Sequence, residues 1–503
     1  MPYVSITPPP GVVKPGTVYD ARGRWYDTKW VRWFEGVMQP IGGFTPVENS
    51  SGTQIDAGAR VASTWGWKDN AGAHWMAWGT ADNVVVYSGD TSYTITPAGM
   101  TTGNDDATTS SGLGLYNYGS YGVGVYGTGD ELVDAIVPAQ NYSFDNYGED
   151  LVFIPASDNK IYLWDRTSPA TVAAAITNAP TSTQAVVVTP ERFIMALGAD
   201  SDGRLIRWAD QDDNTDWTPS SANSAGDLTL PGKGAVVAGR RSQAETLVWT
   251  ETDLFSLRYI GGSFLYTANP VGSVGAVSSR CMAIVGSSAY WMGPGGFYRY
   301  NGYTEPIPSP VADWVFADIN RMQMSKFWTE TRQDFSEITW HYPAGASVEC
   351  NKSITYNYEE NFWYNNTVAR TAGEDRGALP YPVAFDPDGL LWRHEVGSNY
   401  GGVTPYAESG PMQIGEGDSV MHFQSIIPDE KTQGEVEISI YSSFYPNAAE
   451  TTNGPFTSAN PTDVRFIGRQ ARLRIEQVTT GSSDPSKWRV GTIRADIERG
   501  GQR

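Results

Sequence analysis

The chain has 503 residues, with 56 Asp and Glu against 35 Lys and Arg, and a net charge of −21 at pH 7. That acidity excludes a protein that grips nucleic acid over its whole surface, because phosphate affinity needs Lys and Arg. Only 18% of residues are charged, while Gly (54), Pro (31), Trp (18) and Tyr (27) are plentiful, a mix that suits short strands and turns and excludes a disordered chain.

Two cysteines, Cys281 and Cys350, exclude a disulfide framework and argue against a zinc cluster. The N-terminal Met1-Pro2-Tyr3-Val4-Ser5 has no basic-then-apolar leader pattern. No apolar run reaches the roughly 18–20 residues of a membrane span. Folding in a reducing cytoplasm is expected.

Residues 1–54 read as an extended arm with the first strands. The run Thr7-Pro8-Pro9-Pro10-Gly11-Val12-Val13-Lys14-Pro15-Gly16 favours a polyproline-like path, too apolar to hang free. Residues 55–405 carry a repeated small β unit. Ala73 to Gly79 and Asn83 to Tyr87 form a strand pair joined by a tight turn. Short strands with an aromatic or apolar mark recur near Tyr87, Trp164, Trp208, Leu257, Tyr298, Tyr356 and Trp392. Trp164, Trp208, Leu257 and Tyr298 stand 44, 49 and 41 residues apart, close to the about 40–45 residues of a propeller blade. These marks are expected to end each unit. One four-stranded sheet cannot cover both its faces, whereas sheets packed radially cover one another. An all-β fold follows: a β-propeller of six to eight blades, with Trp and Tyr filling the wedges between them.

The large gap between Tyr87 and Trp164 holds a Gly/Tyr-rich insertion over residues 101–130. Its Tyr116, Tyr118, Tyr121 and Tyr126 are the candidate partner-binding or gate residues, since loops this long are usually functional or mobile. Residues 310–325 are the best helix candidate, opened by Pro308 and Pro310. From 406 to 503, strict alternation in Gly417 to Phe423, Glu435 to Tyr441, Ala471 to Glu476 and Thr492 to Ile497 predicts a C-terminal β-sandwich with one wet face per sheet.

Motifs of catalysis are weak. Gly122-Val123-Gly124-Val125-Tyr126-Gly127 matches a dinucleotide fingerprint, but no helix follows to hold pyrophosphate. Asp200-Ser201-Asp202-Gly203 and Asp386-Pro387-Asp388-Gly389 resemble the start of a calcium loop without its downstream Glu, and read as β-turns. His74, His341, His394 and His422 are scattered. Asp212-Asp213 and Glu359-Glu360 fall in polar turns. No catalytic, metal or cofactor residues are assigned.

Several segments resemble a known family. Pro8-Pro9-Pro10-Gly11-Val12-Val13, Gly23-Arg24-Trp25-Tyr26-Asp27 and Val31-Arg32 resemble the opening of short-tailed phage tail nozzle proteins, also called tail hub or packaged-DNA stabilisation proteins. The Gly/Tyr insertion and Phe144-Asp145-Asn146-Tyr147-Gly148-Glu149-Asp150-Leu151 are similar to that family's. So are Glu191-Arg192-Phe193, Arg207-Trp208-Ala209-Asp210-Gln211, Asp216-Trp217, Ala225-Gly226-Asp227 and Phe335-Ser336-Glu337-Ile338 with Trp340 and Tyr342-Pro343. Gly468-Arg469-Gln470-Ala471-Arg472-Leu473-Arg474-Ile475 and Trp488-Arg489 complete the series. Asn141-Tyr142 and Asn146-Tyr147 depart from it, where the family favours Trp; Tyr keeps the ring.

The resemblance implies a structural virion protein, not an enzyme. Six copies would form a ring below the portal and adaptor, carry fibre, spike or needle proteins, and close the DNA exit channel until ejection. The expected location is the virion tail, assembled in the host cytoplasm. Carboxylates on the tube wall would repel phosphate, so DNA slides without sticking. Two other classes compete: a receptor- or carbohydrate-binding tail-fibre propeller, and a sialidase-like hydrolase.

Overall fold

Strands covered on both faces by neighbouring sheets read as unbroken apolar runs. Ile194–Leu197 and Thr246–Thr250 are such strands, buried along their whole length. They are second strands in a series of four-stranded antiparallel meanders in the computed structural model, which describes residues 3–110, 135–243, 245–262, 264–377, 379–431, 434–457, 460–478 and 487–501.

Seven such sheets follow one another. Blade 1 occupies residues 63–94, blade 2 142–175, blade 3 185–229, blade 4 236–272, blade 5 282–306 and blade 6 328–366. Blade 7 takes three strands from residues 372–394 and its outer strand from the N-terminal segment, Phe44–Pro46, paired antiparallel with Leu391–His394. The inner strands of blades 7 and 1, Ala372–Glu374 and Ser63–Lys68, pack side by side, so the ring closes. The architecture is a β-propeller, and its blade number falls inside the expected six to eight.

Aromatic rings fill the wedges. Trp67, Trp75 and Trp164 meet between blades 1 and 2 with centroids 5.7 to 6.4 Å apart. Between the same blades Gly79 lies so close to the Tyr142 ring that a Cβ would meet it at 2.3 Å. The seven marks from Tyr87 to Trp392 all fall on the third strand of their blade, not the last.

Residues 406–503 do not build their sandwich alone. Val4–Ser5 joins Arg494–Arg499, Met421–Ile427 and Thr462–Gly468 in a four-stranded sheet. Trp25–Lys29 joins Tyr406–Ser409, Gln470–Gln477, Val436–Ser443 and Thr451–Thr457 in a five-stranded one. Residues 1–54 are therefore shared between sandwich and propeller. Ile438, Ile440, Leu473 and Ile475 point inward and belong to one continuous core with Trp25, Trp33, Trp340 and Trp363 of the arm and blade 6. The two domains thus share apolar surface rather than meeting through a linker.

The helix expected over residues 310–325 is broken. Helix α1 is Ala312–Asp318, and after an extended Ile319 a 3-10 segment, Arg321–Lys326, follows. The Asn320 side chain accepts the Met322 N–H and restarts the turn.

Candidate functional site: the axial channel and its closed mouth

All seven inner strands contribute to one cavity of about 430 Å³ at the ends of those strands, where Trp65, Asp145, Arg241, Gln333, Asp375 and Arg376 surround it. That is the size of a small-molecule pocket, roughly 300–1,000 Å³, and far too small for a nucleic-acid duplex. Any conduit for DNA would have to lie between copies, not along the axis of one propeller.

The other end, where the inner strands begin, is stoppered. The chain between blades 1 and 2 leaves blade 1, tied by Gly103 N–H to Ala81 O at 2.8 Å, and reaches the junction of blades 5 and 6. There the Ala107 N–H donates to Gln323 Oε1 at 2.9 Å, and Gln323 Nε2 donates back to Ala107 O at 3.1 Å. The Ala139 N–H donates to Ser325 Oγ at 3.1 Å, and Asn141 Nδ2 donates to Ser325 O and to Ser279 Oγ. Lys326, 0% exposed, is held by Asp106 and Glu349, and Arg60 pairs with Glu349 from the start of blade 1. A buried ammonium costs several kcal/mol unless paired, so this cluster fixes the strap across the mouth.

Two short strands, Thr108–Ser110 and Ala135–Val137, pair antiparallel just beyond the strap and form the base of the Gly/Tyr insertion. Tyr116, Tyr118, Tyr121 and Tyr126 lie outside the described residues. The place from which their segment departs is nevertheless fixed: the closed mouth of the channel.

The channel charges are unevenly satisfied. Asp145 spends both carboxylate oxygens on backbone, accepting Val188 N–H at 2.8 Å and Asn146 N–H at 2.8 Å, and burial raises its carboxyl. Glu374 is half-buried in the channel wall, and the loss of solvent there pushes its carboxyl up to about 7. Glu330 goes the other way. Burial opposes its charge, but Arg332 and then His341 outweigh burial, and its carboxyl falls to about 2.

Behind Glu330 a polar cavity of about 40 Å³ lies between blades 6 and 7 and the hairpin strand Val31–Phe34. Arg32, 2% exposed, forms an ion pair with Glu337 at 3.2 Å, without hydrogen-bond geometry, and grips Glu395 with both terminal nitrogens. Arg370 Nε donates to His394 Nε2 at 2.9 Å; burial first, then Arg370, hold that imidazole neutral. This network locks the N-terminal segment onto the closing blade.

The turn carboxylates behave as turns. Asp202 Oδ1 accepts Arg204 N–H, and Asp386 Oδ1 accepts the N–H groups of Asp388 and Leu390. Asp212 pairs with Arg192, and Glu360 accepts Glu35 N–H. No three His, Cys, Asp or Glu residues are gathered in a metal-holding group among the described residues. Cys281 and Cys350 are buried free thiols, pushed up to about 11 and about 12 by burial. No helix among the described residues is long and apolar enough to cross a membrane.

No known family pattern matches the chain, and no characterised protein matches it in sequence. Among solved structures it is similar to YCF48 from Cyanidioschyzon merolae, at 11% identity and a TM-score of 0.38, over 70% of this chain and 98% of that one. It is also similar to PorZ, a surface component of the type-IX secretion system of Porphyromonas gingivalis, at 10% identity and a TM-score of 0.37, over 76% of this chain and 44% of that one. A third is the extracellular domain of the putative hybrid two-component system BT4673 from B. thetaiotaomicron, at 12% identity and a TM-score of 0.30, over 62% and 40%. Likenesses this distant touch the fold alone, and the propeller assignment rests on the strand pairing described above.

Proposed function

We propose that the chain is a structural virion protein of the tail nozzle type, six copies of which form a ring that closes and then conducts the DNA exit channel. The observation that carries this reading is the end-to-end order of the segments resembling that family. Two physical features support it. The acidic excess lies mainly before residue 406, on the arm and propeller, where carboxylates would line a conduit without binding phosphate. The propeller axis is stoppered by its own strap, so the propeller acts as a wall element rather than a pore. Contacts in such a ring are head-to-tail. The reading assigns no catalysis and no cofactor. The adaptor ring and fibre, spike or needle proteins are the proposed partners, and the virion tail is the proposed location.

The test is labelled-antibody cryo-electron microscopy of particles made with this protein. Density at a single vertex, and particles that lose packaged DNA when the protein is depleted, are expected. Label spread over the capsid, or at the tips of fibres, would refute the assignment.

One observation favours a second reading, receptor binding. A groove of about 550 Å³ on the sandwich is lined by Tyr19, Tyr26, Glu408, Glu450, Gln470 and Arg472. Arg472 is fixed in two-point contact with Glu450 at 2.7 Å. Aromatic faces beside preset polar groups suit a saccharide. Specific binding on a glycan array, lost in Tyr26→Ala, would favour that class.

A further inference from the structure

Two arginines, one near the end of the inner strand of blade 4 and one just before that of blade 5, form no ion pair among the described residues. Arg240 leaves the inner strand of blade 4 and donates Nη1 to Gly239 O at 2.9 Å and Nη2 to Ser279 O at 3.2 Å. Arg280, next in sequence after Ser279, reaches from the start of blade 5 to the approaches of blades 6 and 7. Its Nη2 donates to Lys326 O at 3.4 Å and to Thr371 O at 3.3 Å. Its Nε is buried with no hydrogen-bond partner, and the Thr371 hydroxyl, on a residue 1% exposed, is likewise unpartnered. Every acceptor these guanidiniums have is a neutral carbonyl. Neither forms an ion pair among the described residues.

The channel carboxyls are poor substitutes. Asp145 is spent on backbone N–H groups, and Glu374 is half neutral near pH 7. Burial, with repulsion from Arg60 and Arg240, pushes Arg280 down to about 9. Lowered basicity in an arginine marks a site short of negative charge. Both residues are half-buried; a charge drawn partly out of water and left unpaired is costly, and this deficit sits in a protein with 56 acidic residues.

Beside Arg240 lies a pocket of about 30 Å³, lined also by Asn141, Gln184, Ala238 and Ser279. A void of ~10–15 Å³ already holds one water-sized particle, so this pocket takes one or two and no tetrahedral oxyanion. Its polar wall offers donors. A guanidinium has five N–H groups, of which Arg240 commits one on each Nη to carbonyls. Ser279 Oγ accepts Asn141 Nδ2 at 2.9 Å, leaving its own proton free to turn inward.

We propose that this pocket is a halide site, filled by chloride, which neutralises Arg240, lessens its repulsion of Arg280 and joins the inner strands of blades 2 to 4 to the approach of blade 5. The ion is structural: it offsets charge that the surrounding carbonyls leave unpaired.

The test uses the full-length protein. Melting temperature is followed as sodium chloride replaces sodium gluconate at constant ionic strength, and crystals soaked in bromide are measured at the bromine edge. The expected results are a rise of about 2 °C with halide and an anomalous peak beside Arg240 Nη. Arg240→Met should abolish the halide dependence while Arg240→Lys keeps part of it. Equal melting in both salts, or no bromine peak, would overturn the proposal and leave water in the pocket. Displacement of bromide by inorganic phosphate would overturn the size argument on which it stands. If Arg240→Met fails to fold, the wild-type crystal measurement decides alone.

Discussion

Glu374 ends the inner strand of blade 7 with its carboxyl in the channel wall, and burial there fixes the sign of a pH effect. In an unfolded chain a Glu titrates near ~4.3; here it titrates at about 7. Between those values the native state keeps a proton that the unfolded state has lost. The stability tied to this group is whole below the lower value and drains away as pH rises through the upper one. Urea unfolding from pH 5 to 8 should show wild type losing stability relative to Glu374→Gln, by on the order of 1–3 kcal/mol. Glu337, also pushed up to about 7 by burial, stays in both proteins, so the difference isolates Glu374; parallel curves would remove the assignment. At the mouth, Asp106→Asn takes one partner from Lys326 but leaves Glu349. The fold should survive, and the amides of Ala107 and Ala139 should exchange faster with deuterium. Unchanged exchange at both would mean that the strap is held by Gln323 and Ser325 alone. None of these residues had a local signature. Lys326, Arg240 and Arg280 matter because a ring brings residues of distant strands and their connections towards one axis, and no window of sequence contains that circle. The insertion itself was legible from its Gly/Tyr composition; its anchoring on Gln323 and Ser325 was not.

At the scale of elements, closure of the ring depends on three residues. Phe44–Pro46 supplies the outer strand of blade 7, and the Phe44 ring packs edge-on against Trp392 at 5.2 Å and beside Trp30 at 5.7 Å, with the Arg370 guanidinium over its face at 4.7 Å. Phe44→Ala should cost about 3 kcal/mol, read as a lower urea midpoint at unchanged slope. Tyr303→Ala, which removes a ring 61% exposed, should cost almost nothing. Equal effects would show that the closing strand carries no special share of stability. The third strand of each blade was legible because it carries an aromatic or apolar residue, and from Trp164 to Tyr298 that residue recurs at blade spacing. The closing strand was not, because Phe44-Thr45-Pro46 is too short for periodicity and its Pro argues against a central strand. That Trp25–Lys29 and Val4–Ser5 join the sandwich was hidden for another reason. Edge strands recruited into a sandwich from the far end of the chain leave no alternation longer than a few residues. The helix over 310–325 was overestimated because apolar spacing continues through Ile319, where the backbone turns extended.

For the whole molecule the decisive quantity is charge. Duplex DNA binding draws its strength from phosphate neutralisation, and affinity climbs steeply as salt falls. A molecule of net charge −21 whose basic side chains are largely tied to carboxylates, as Arg32, Lys326, Arg332 and Arg472 are, should show the reverse. Repulsion lengthens in range as salt is diluted, because the screening length grows from about 10 Å at 0.1 M to about 30 Å at 0.01 M. The full-length protein should therefore bind no double-stranded DNA in electrophoretic or anisotropy titrations at any salt, and lowering salt should not rescue binding. The stoppered axis and its small cavity give the same expectation by size. If micromolar binding appears and strengthens at low salt, a basic face exists that the charge balance hides. The picture of an acidic wall that DNA passes without sticking then fails, whatever the particle images show. If binding stays absent while labelled particles place the protein at one vertex, repulsion along the wall becomes the working property of the assembly, and the next variants to make are those that turn its exposed carboxylates to lysine.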